Sequence, residues 1–400
     1  MRRRPEALAT ALAELESQSL RRRRITLRRD GAVGVHDGTR RYLNFSSNDY
    51  LGLAAEPALA AGMCAAAQAA GAGSGASHLV TGHGPEHAAL ERELAEFTGR
   101  ACALLFSTGY MANLGVVMAL AGRDDLVLED RLNHASLLDA ALLSRAKLER
   151  YGHADATAAA QRLAALDDAS PSRTALIVTD GVFSMDGDLA PLPALAATAS
   201  RHEAWLVVDD AHGLGVLGEQ GGGVLEHHGL DAAAVPVLVG TLGKAFGSFG
   251  AFVAGDADLV EWLVQRARTY IYTTALPEPV AAATRAALRI VRAEPQRRAR
   301  LRELVQRWRS GAARHALPVL ESSTPIQPVL AGGAARCLAI SAQLREQGYW
   351  VTAIRPPTVP RGAARLRVTL SAAHSDADID GLVAALARAF DATQALAEPA

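Results

Sequence analysis

Short apolar runs alternate with longer stretches of helical periodicity along most of this chain. CALLF (102–106), LVLED (126–130), ALIVTD (175–180), AWLVVDDAHG (204–213), VPVLVG (235–240) and GAFVAG (250–255) read as buried strands, and helices of ten or more residues separate most of them. That alternation predicts an α/β fold, with a large mostly parallel sheet covered on both faces. Leu8, Leu12 and Leu15 recur at helical spacing near the N-terminus and predict an amphipathic helix ending in arginines. A short hairpin then follows within 31–53. Beyond residue 283 the texture changes to arginine-rich helical stretches (296–314 and 334–347) interleaved with PIQPVL, WVTAI and RLRVTL, and a final helix from Asp376 to Phe390. The pattern divides the chain into an N-terminal helix and hairpin (1–53), a large domain (54–282) and a smaller C-terminal α+β domain (283–400).

Polar residues interrupt the pattern where strands end. The run Val235, Val237, Val239 stops at Gly240, so Thr241, Gly243 and Lys244 emerge where an open α/β sheet places its ligand. A desolvated lysine amine is nucleophilic toward a carbonyl, and the Thr241 hydroxyl suits a phosphate, so Schiff-base chemistry on a phosphorylated aldehyde is the candidate. CALLF runs into Ser107, Thr108 and Gly109 and then a helix, which supplies free N–H groups and a positive dipole end for a phosphate without a Walker sequence. WLVVDDAHG sets Asp209 and His212 at and just beyond a strand end. A buried carboxylate needs a partner such as a pyridinium N–H, and His212 could meet a phenolic oxygen. The same pair could be two metal ligands or half of a hydrolase relay. Neither a third ligand nor a G-x-S-x-G turn is nearby, so cofactor binding is preferred and no metal is expected. The glycine-rich stretch 71–84 reads equally as a flexible loop or as backbone approached closely by a ligand or another chain.

Composition narrows the class further. At 400 residues, half apolar and with a formal charge of −1, the chain gives no reason to expect nucleic acid as a partner. Cys64, Cys102 and Cys337 are unpaired in spacing, indicate neither a disulfide framework nor a zinc site, and fit a reducing cytoplasm. Glu6, Glu14 and Glu16 break up the basic N-terminus, so no export segment is read there. No window reaches the ~20 apolar residues of a membrane span.

NFSSNDYLGL, HASLLDA, DGVFSMDGDLAPL, VDDAHGLGVLGEQGGG, TLGKAFGSFGAF, YIYTTALP and AIRPPTVP, in this order over nearly the whole chain, resemble the α-oxoamine synthases, pyridoxal 5'-phosphate (PLP) enzymes of fold type I. GSGASHLVTGHG and AIRPPTVP favour the member that condenses L-alanine with a pimeloyl thioester, on CoA or a carrier protein, in biotin biosynthesis. The resemblance implies that Lys244 carries the cofactor and acts as base, Asp209 pairs with the pyridine nitrogen, His212 contacts the ring oxygen, His134 stacks on the ring, and Ser184 lies beside them. Thr241 and the backbone of Gly109 and Tyr110 would hold the phosphate. Arg355 and Asn48 would meet the amino-acid carboxylate, Thr358 would lie near the substrate, and Arg21, chosen from Arg21 to Arg24, would meet the acyl group. A homodimer is implied on the same ground. The alternatives are a glycine C-acetyltransferase or 5-aminolevulinate synthase of the same family and, from another class, a dinucleotide oxidoreductase suggested by GLGVLGEQGGG.

Overall fold

The computed structural model describes residues 5–169 and 173–396; Arg2 to Arg4 of the basic N-terminus lie outside them. Two compact units emerge. One takes Asn48–Ser184 and Asp188–Ala299, and the other takes the described residues up to Ser47, Met185–Gly187 and those from Arg300 onward. The sequence pattern divides at 53/54 and 282/283. The segment up to Ser47 instead falls in one unit with the C-terminal residues, because Arg41–Asn44 pairs in parallel with Tyr349–Trp350.

The first unit is built on a seven-stranded sheet in the order Cys102–Phe106, Ala251–Gly255, Val237–Thr241, Trp205–Asp209, Ala175–Asp180, Leu126–Asp130, Lys147–Tyr151. Ala251–Gly255 is antiparallel to both neighbours, and every other pairing is parallel. Alternation along the strands feeds two cores. Leu176, Val178, Val207, Val237 and Val239 face one side with the helices Gly109–Leu120 and Ala135–Ser144, while Ile177, Leu206, Val208 and Leu238 face the other with Leu192–Arg201. Covering both faces makes the strands apolar throughout, which is why they stand out in the sequence.

Polar residues collect at one edge. Leu126–Asp130, Ala175–Asp180, Trp205–Asp209 and Val237–Thr241 are adjacent parallel strands, and each ends in a polar side chain. Ala251 pairs with both Thr241 and Phe106, so the turn after Phe106 reaches the same edge. The glycine-rich stretch contains a π-helical turn, His78–Gly82. A Cβ on Gly82 would sit 2.2 Å from the Ala76 carbonyl oxygen, so this glycine answers to backbone crowding.

The second unit carries a four-stranded sheet (Arg28–Asp30, Gly34–His36, Arg41–Asn44, Tyr349–Trp350) and a three-stranded one (Ile326–Gly332, Ala364–Thr369, Thr352–Ile354). The N-terminal helix spans Pro5–Ser17 and stops short of the arginines, because Ser19 turns to φ 57° and the Leu20 N–H returns to the Leu15 carbonyl.

Candidate active site

The polar sheet edge opens into a cavity of about 220 Å³ lined by Gly109, Tyr110, Asn113, His134, Ser136, Asp180, Ser184, Asp209, Ala211, His212, Thr241 and Lys244. Each of these residues is delivered by a strand end or by the element that follows one. Lys244 follows Val237–Thr241 in a tight turn, and its Nζ lies 3.0 Å from His212 Nε2. His212 is oriented from its other side, where Nδ1 lies 2.7 Å from the Tyr50 hydroxyl, and Tyr50 also donates to Asn48 Oδ1 at 3.2 Å.

Asp209 is buried at its strand end. Its Oδ1 accepts from the Ala211 N–H at 3.0 Å and its Oδ2 from Asn113 Nδ2 at 2.6 Å. The neighbouring Asp210 serves the fold, since its Oδ2 accepts the Val224 N–H at 2.7 Å. A Cβ on Gly223 would approach that oxygen to 1.9 Å. Burial raises the Asp210 carboxyl well above the usual range. The same holds for Asp180, raised first by burial and then by the charge of Asp209, although Oδ2 accepts the His134 N–H at 2.8 Å.

His134 caps the helix Ala135–Ser144. Its Nδ1 accepts from the Ser136 N–H at 3.3 Å and lies 2.7 Å from Ser136 Oγ. Burial holds its pKa below the ordinary value; Lys244 adds to that effect, and the charge of Asp209 opposes it. Thr108 caps the helix Gly109–Leu120, and its hydroxyl accepts the Met111 N–H at 3.2 Å. The first N–H groups of a helix have no intrahelical partner, and nothing lies within 4 Å of where a Gly109 Cβ would stand. Thr241 donates to the Gly250 carbonyl at 3.2 Å and accepts from the Gly243 N–H at 3.3 Å.

Eight of the residues singled out from sequence therefore converge: Gly109, Tyr110, His134, Ser184, Asp209, His212, Thr241 and Lys244. Neither Asn48 nor Tyr50 lines the cavity; Asn48 is linked to it through Tyr50, whose hydroxyl meets the lining residue His212. Arg21, Arg355 and Thr358 belong to the other unit, where Arg21 pairs with Glu16 at 3.4 Å, Arg355 Nη1 donates to the Ser19 carbonyl, and Thr358 Oγ1 accepts from Arg22 at 3.3 Å. Sequence reasoning missed Asn113, Ser136, Asp180 and Tyr50. The only signal for Asn113 was one amide within the apolar helix GYMANLGVVMAL.

The model of the aminotransferase class I and II family matches residues 40–386. A Methylococcus capsulatus protein named 8-amino-7-oxononanoate synthase is 61% identical over 95% of this chain and 97% of its own length, and one from Alkalilimnicola ehrlichii is 60% identical over 95% and 96%. The chain belongs to the aminotransferase class I and II family, among the 8-amino-7-oxononanoate synthases. Of solved structures, the Francisella tularensis 8-amino-7-oxononanoate synthase matches with a TM-score of 0.75 at 29% identity, over 88% of this chain and 99% of that one. A serine palmitoyltransferase from S. paucimobilis, solved with bound PLP–myriocin, matches with a TM-score of 0.91 at 28% identity, over 98% of each chain. The fold is thus that of the PLP-dependent aminotransferase-like enzymes. The dinucleotide reading fails, because GLGVLGEQGGG follows the third residue after a strand and winds through turns into the six-residue helix Gly223–His228. Among the described residues no group of three or more His, Cys, Asp or Glu could hold a metal, and no helix is long and apolar enough to cross a membrane.

Proposed function

We propose that this enzyme condenses L-alanine with a pimeloyl thioester, with loss of carbon dioxide, using PLP held at Lys244. One observation carries the reading: a lysine amine and a buried carboxylate meet in a single cavity at the carboxyl edge of a sheet whose family uses this cofactor. The donor set fits the cofactor. An amine suits its aldehyde, each Asp209 oxygen has a lone pair left after its one hydrogen bond, and open space lies beside Gly109 at the N-terminus of Gly109–Leu120 for an anion.

When bound, PLP supplies an electron sink for the pair left on the α-carbon once its proton is removed. The residues of the chain do the rest. Lys244 holds the cofactor through Nζ and, once displaced by the amino acid, takes the α-proton at that atom. Asp209 would pair with the ring nitrogen and hold its proton there. Gly109, Tyr110 and Thr241 would hold the phosphate, His134 would stack on the ring, and His212, oriented by Tyr50, would meet the ring oxygen beside Ser184. Arg355 and Asn48 take the amino-acid carboxylate, the former because a guanidinium grips a carboxylate at two points. Thr358 lies near the substrate and Arg21 meets the acyl group. A homodimer in the cytoplasm completes the reading, and the three unpaired thiols agree with that compartment.

The test is the visible absorbance of purified protein with PLP, titrated separately with L-alanine, glycine and L-serine and then given pimeloyl-CoA. A band that answers to L-alanine, followed by CoA release, is expected. A band answering only to glycine would move the chain to another branch of the synthases, and no band would remove Lys244 as the anchor.

A further inference from the structure

Resting on the PLP reading, we propose that Asn113 and Ser136 are positioning residues that fix His134 as a neutral ring protonated on Nε2, through a hydrogen-bond chain whose direction is set at Asp209. Donors and acceptors alternate along this chain of bonds in only one direction. A carboxylate oxygen only accepts, so the Asn113 group 2.6 Å from Asp209 Oδ2 is its NH₂; the flipped amide would set two acceptors against each other. The same nitrogen has one more hydrogen, and Ser136 Oγ lies 2.8 Å away to receive it. The Ser136 hydroxyl then has its single hydrogen to give, and His134 Nδ1 is 2.7 Å from it. Nδ1 also faces the Ser136 backbone N–H at 3.3 Å, so two donors converge on it and it must present its lone pair. A neutral ring with an unprotonated Nδ1 carries its proton on Nε2.

Three observations agree. Asn113 and Ser136 are fully buried, so water does not compete for these bonds. Asn113 Oδ1 has no hydrogen-bond partner, as expected of an amide placed for its two hydrogens rather than its oxygen. His134 caps a ten-residue helix, whose positive end disfavours an imidazolium. The charges around the ring are Lys244, which acts the same way, and Asp209 and Asp139, which oppose it; Asp180 takes the His134 N–H, and burial tips the balance to the neutral form. The chemical purpose follows. A neutral ring can lie against a protonated pyridine without opposing its charge, and the amide that fixes this state also fixes the plane of the carboxylate that keeps the pyridine protonated.

The experiment is a long-range ¹H–¹⁵N spectrum of the enzyme labelled with ¹⁵N-histidine, recorded with and without PLP, with the His134 signals assigned by their loss in His134→Gln. At neutral pH the wild type should show His134 with Nε2 protonated and Nδ1 bare, with or without PLP. Ser136→Ala removes the hydroxyl donor but keeps the backbone N–H at Nδ1, so a measurable share of the Nδ1-protonated tautomer should appear, and Ser136→Thr should restore the single tautomer. An Nδ1-protonated or doubly protonated His134 in the wild type overturns the proposal, as does an unchanged tautomer in Ser136→Ala. The wild-type spectrum decides even where a variant fails to fold. Because the signal is read without PLP as well, its failure is distinct from a failure of the lysine-linked absorbance band.

Discussion

His153 follows the edge strand Lys147–Tyr151, and both of its ring nitrogens face carboxylates: Nδ1 is 3.0 Å from Asp130 Oδ1, and Nε2 is 2.8 Å from Asp188 Oδ2. Only an imidazolium can donate to both. Asp188 anchors the base of a hairpin, where Phe183 N–H donates to the Asp188 carbonyl at 3.0 Å and Val182 bridges Leu189, and Ser184 sits just beyond. Asp130 and then Asp188 raise the His153 pKa from 6.5 to about 10 against an opposing effect of burial. The folded state therefore binds this proton more tightly than the unfolded chain does. The stabilisation is complete below about pH 6.5 and is lost as pH rises through about 10. At ~1.4 kcal/mol per pH unit the ceiling is ~5 kcal/mol. The side chain is 28% exposed, and solvent screening brings the expectation to ~2–3 kcal/mol. We expect His153→Gln to lower the urea midpoint strongly near pH 6 and far less near pH 10, with the wild-type ring titrating near the upper end in an NMR series. An equal loss at both pH values, or a ring that titrates in the ordinary histidine range, refutes the reasoning.

Lys244→Ala should lose ~10² to 10⁴ in rate or more and form no borohydride-reducible adduct with PLP, so appreciable turnover by this variant would end its assignment as anchor and base. Phe45→Ala removes a fully buried ring stacked 4.1 Å from His374 and should cost ~3–5 kcal/mol in denaturant unfolding; a cost under ~1 kcal/mol would mean the site collapses around the missing ring.

Burial on both faces made the strands of the large sheet legible, and Thr241, Asp209 and Lys244 were legible because polar side chains at the ends of such runs have no packing explanation. The edge strand Lys147–Tyr151 was missed for the converse reason: KLERY pairs with a single neighbour and is half exposed, so charges interrupt its pattern. The arginines after the first helix extend a helical pattern by composition, while the left-handed turn at Ser19 that ends the helix carries no glycine to announce it. Asn113 was hidden because its partners stand 96 and 23 residues away, and a lone amide in an apolar helix acquires its meaning only when the sheet assembles.

Asp180 and Asp209 end adjacent parallel strands in register, and the two test how the site distributes charge. Two carboxylates so close in a buried edge cannot both ionise without mutual cost. Burial, and then the charge of Asp209, push the Asp180 carboxyl well above its usual range, so of the two it is Asp180 that the site biases toward its neutral form. The hydrogen bonds agree, since Asp209 accepts from two donors and Asp180 from the His134 N–H. Asparagine mimics a protonated aspartate, so Asp180→Asn should change the rate by less than ~10-fold and leave the cofactor spectrum unaltered. Asp209→Asn replaces an anion and sets an NH₂ against either Asn113 or Ala211. It should lose ~10² to 10³ in kcat, with altered absorbance of the bound cofactor, because the ring nitrogen no longer has an anion to hold its proton. Comparable losses in the two variants would show that Asp180 shares the charge. An unaffected Asp209→Asn would return Asp209 to the residues that serve only the fold.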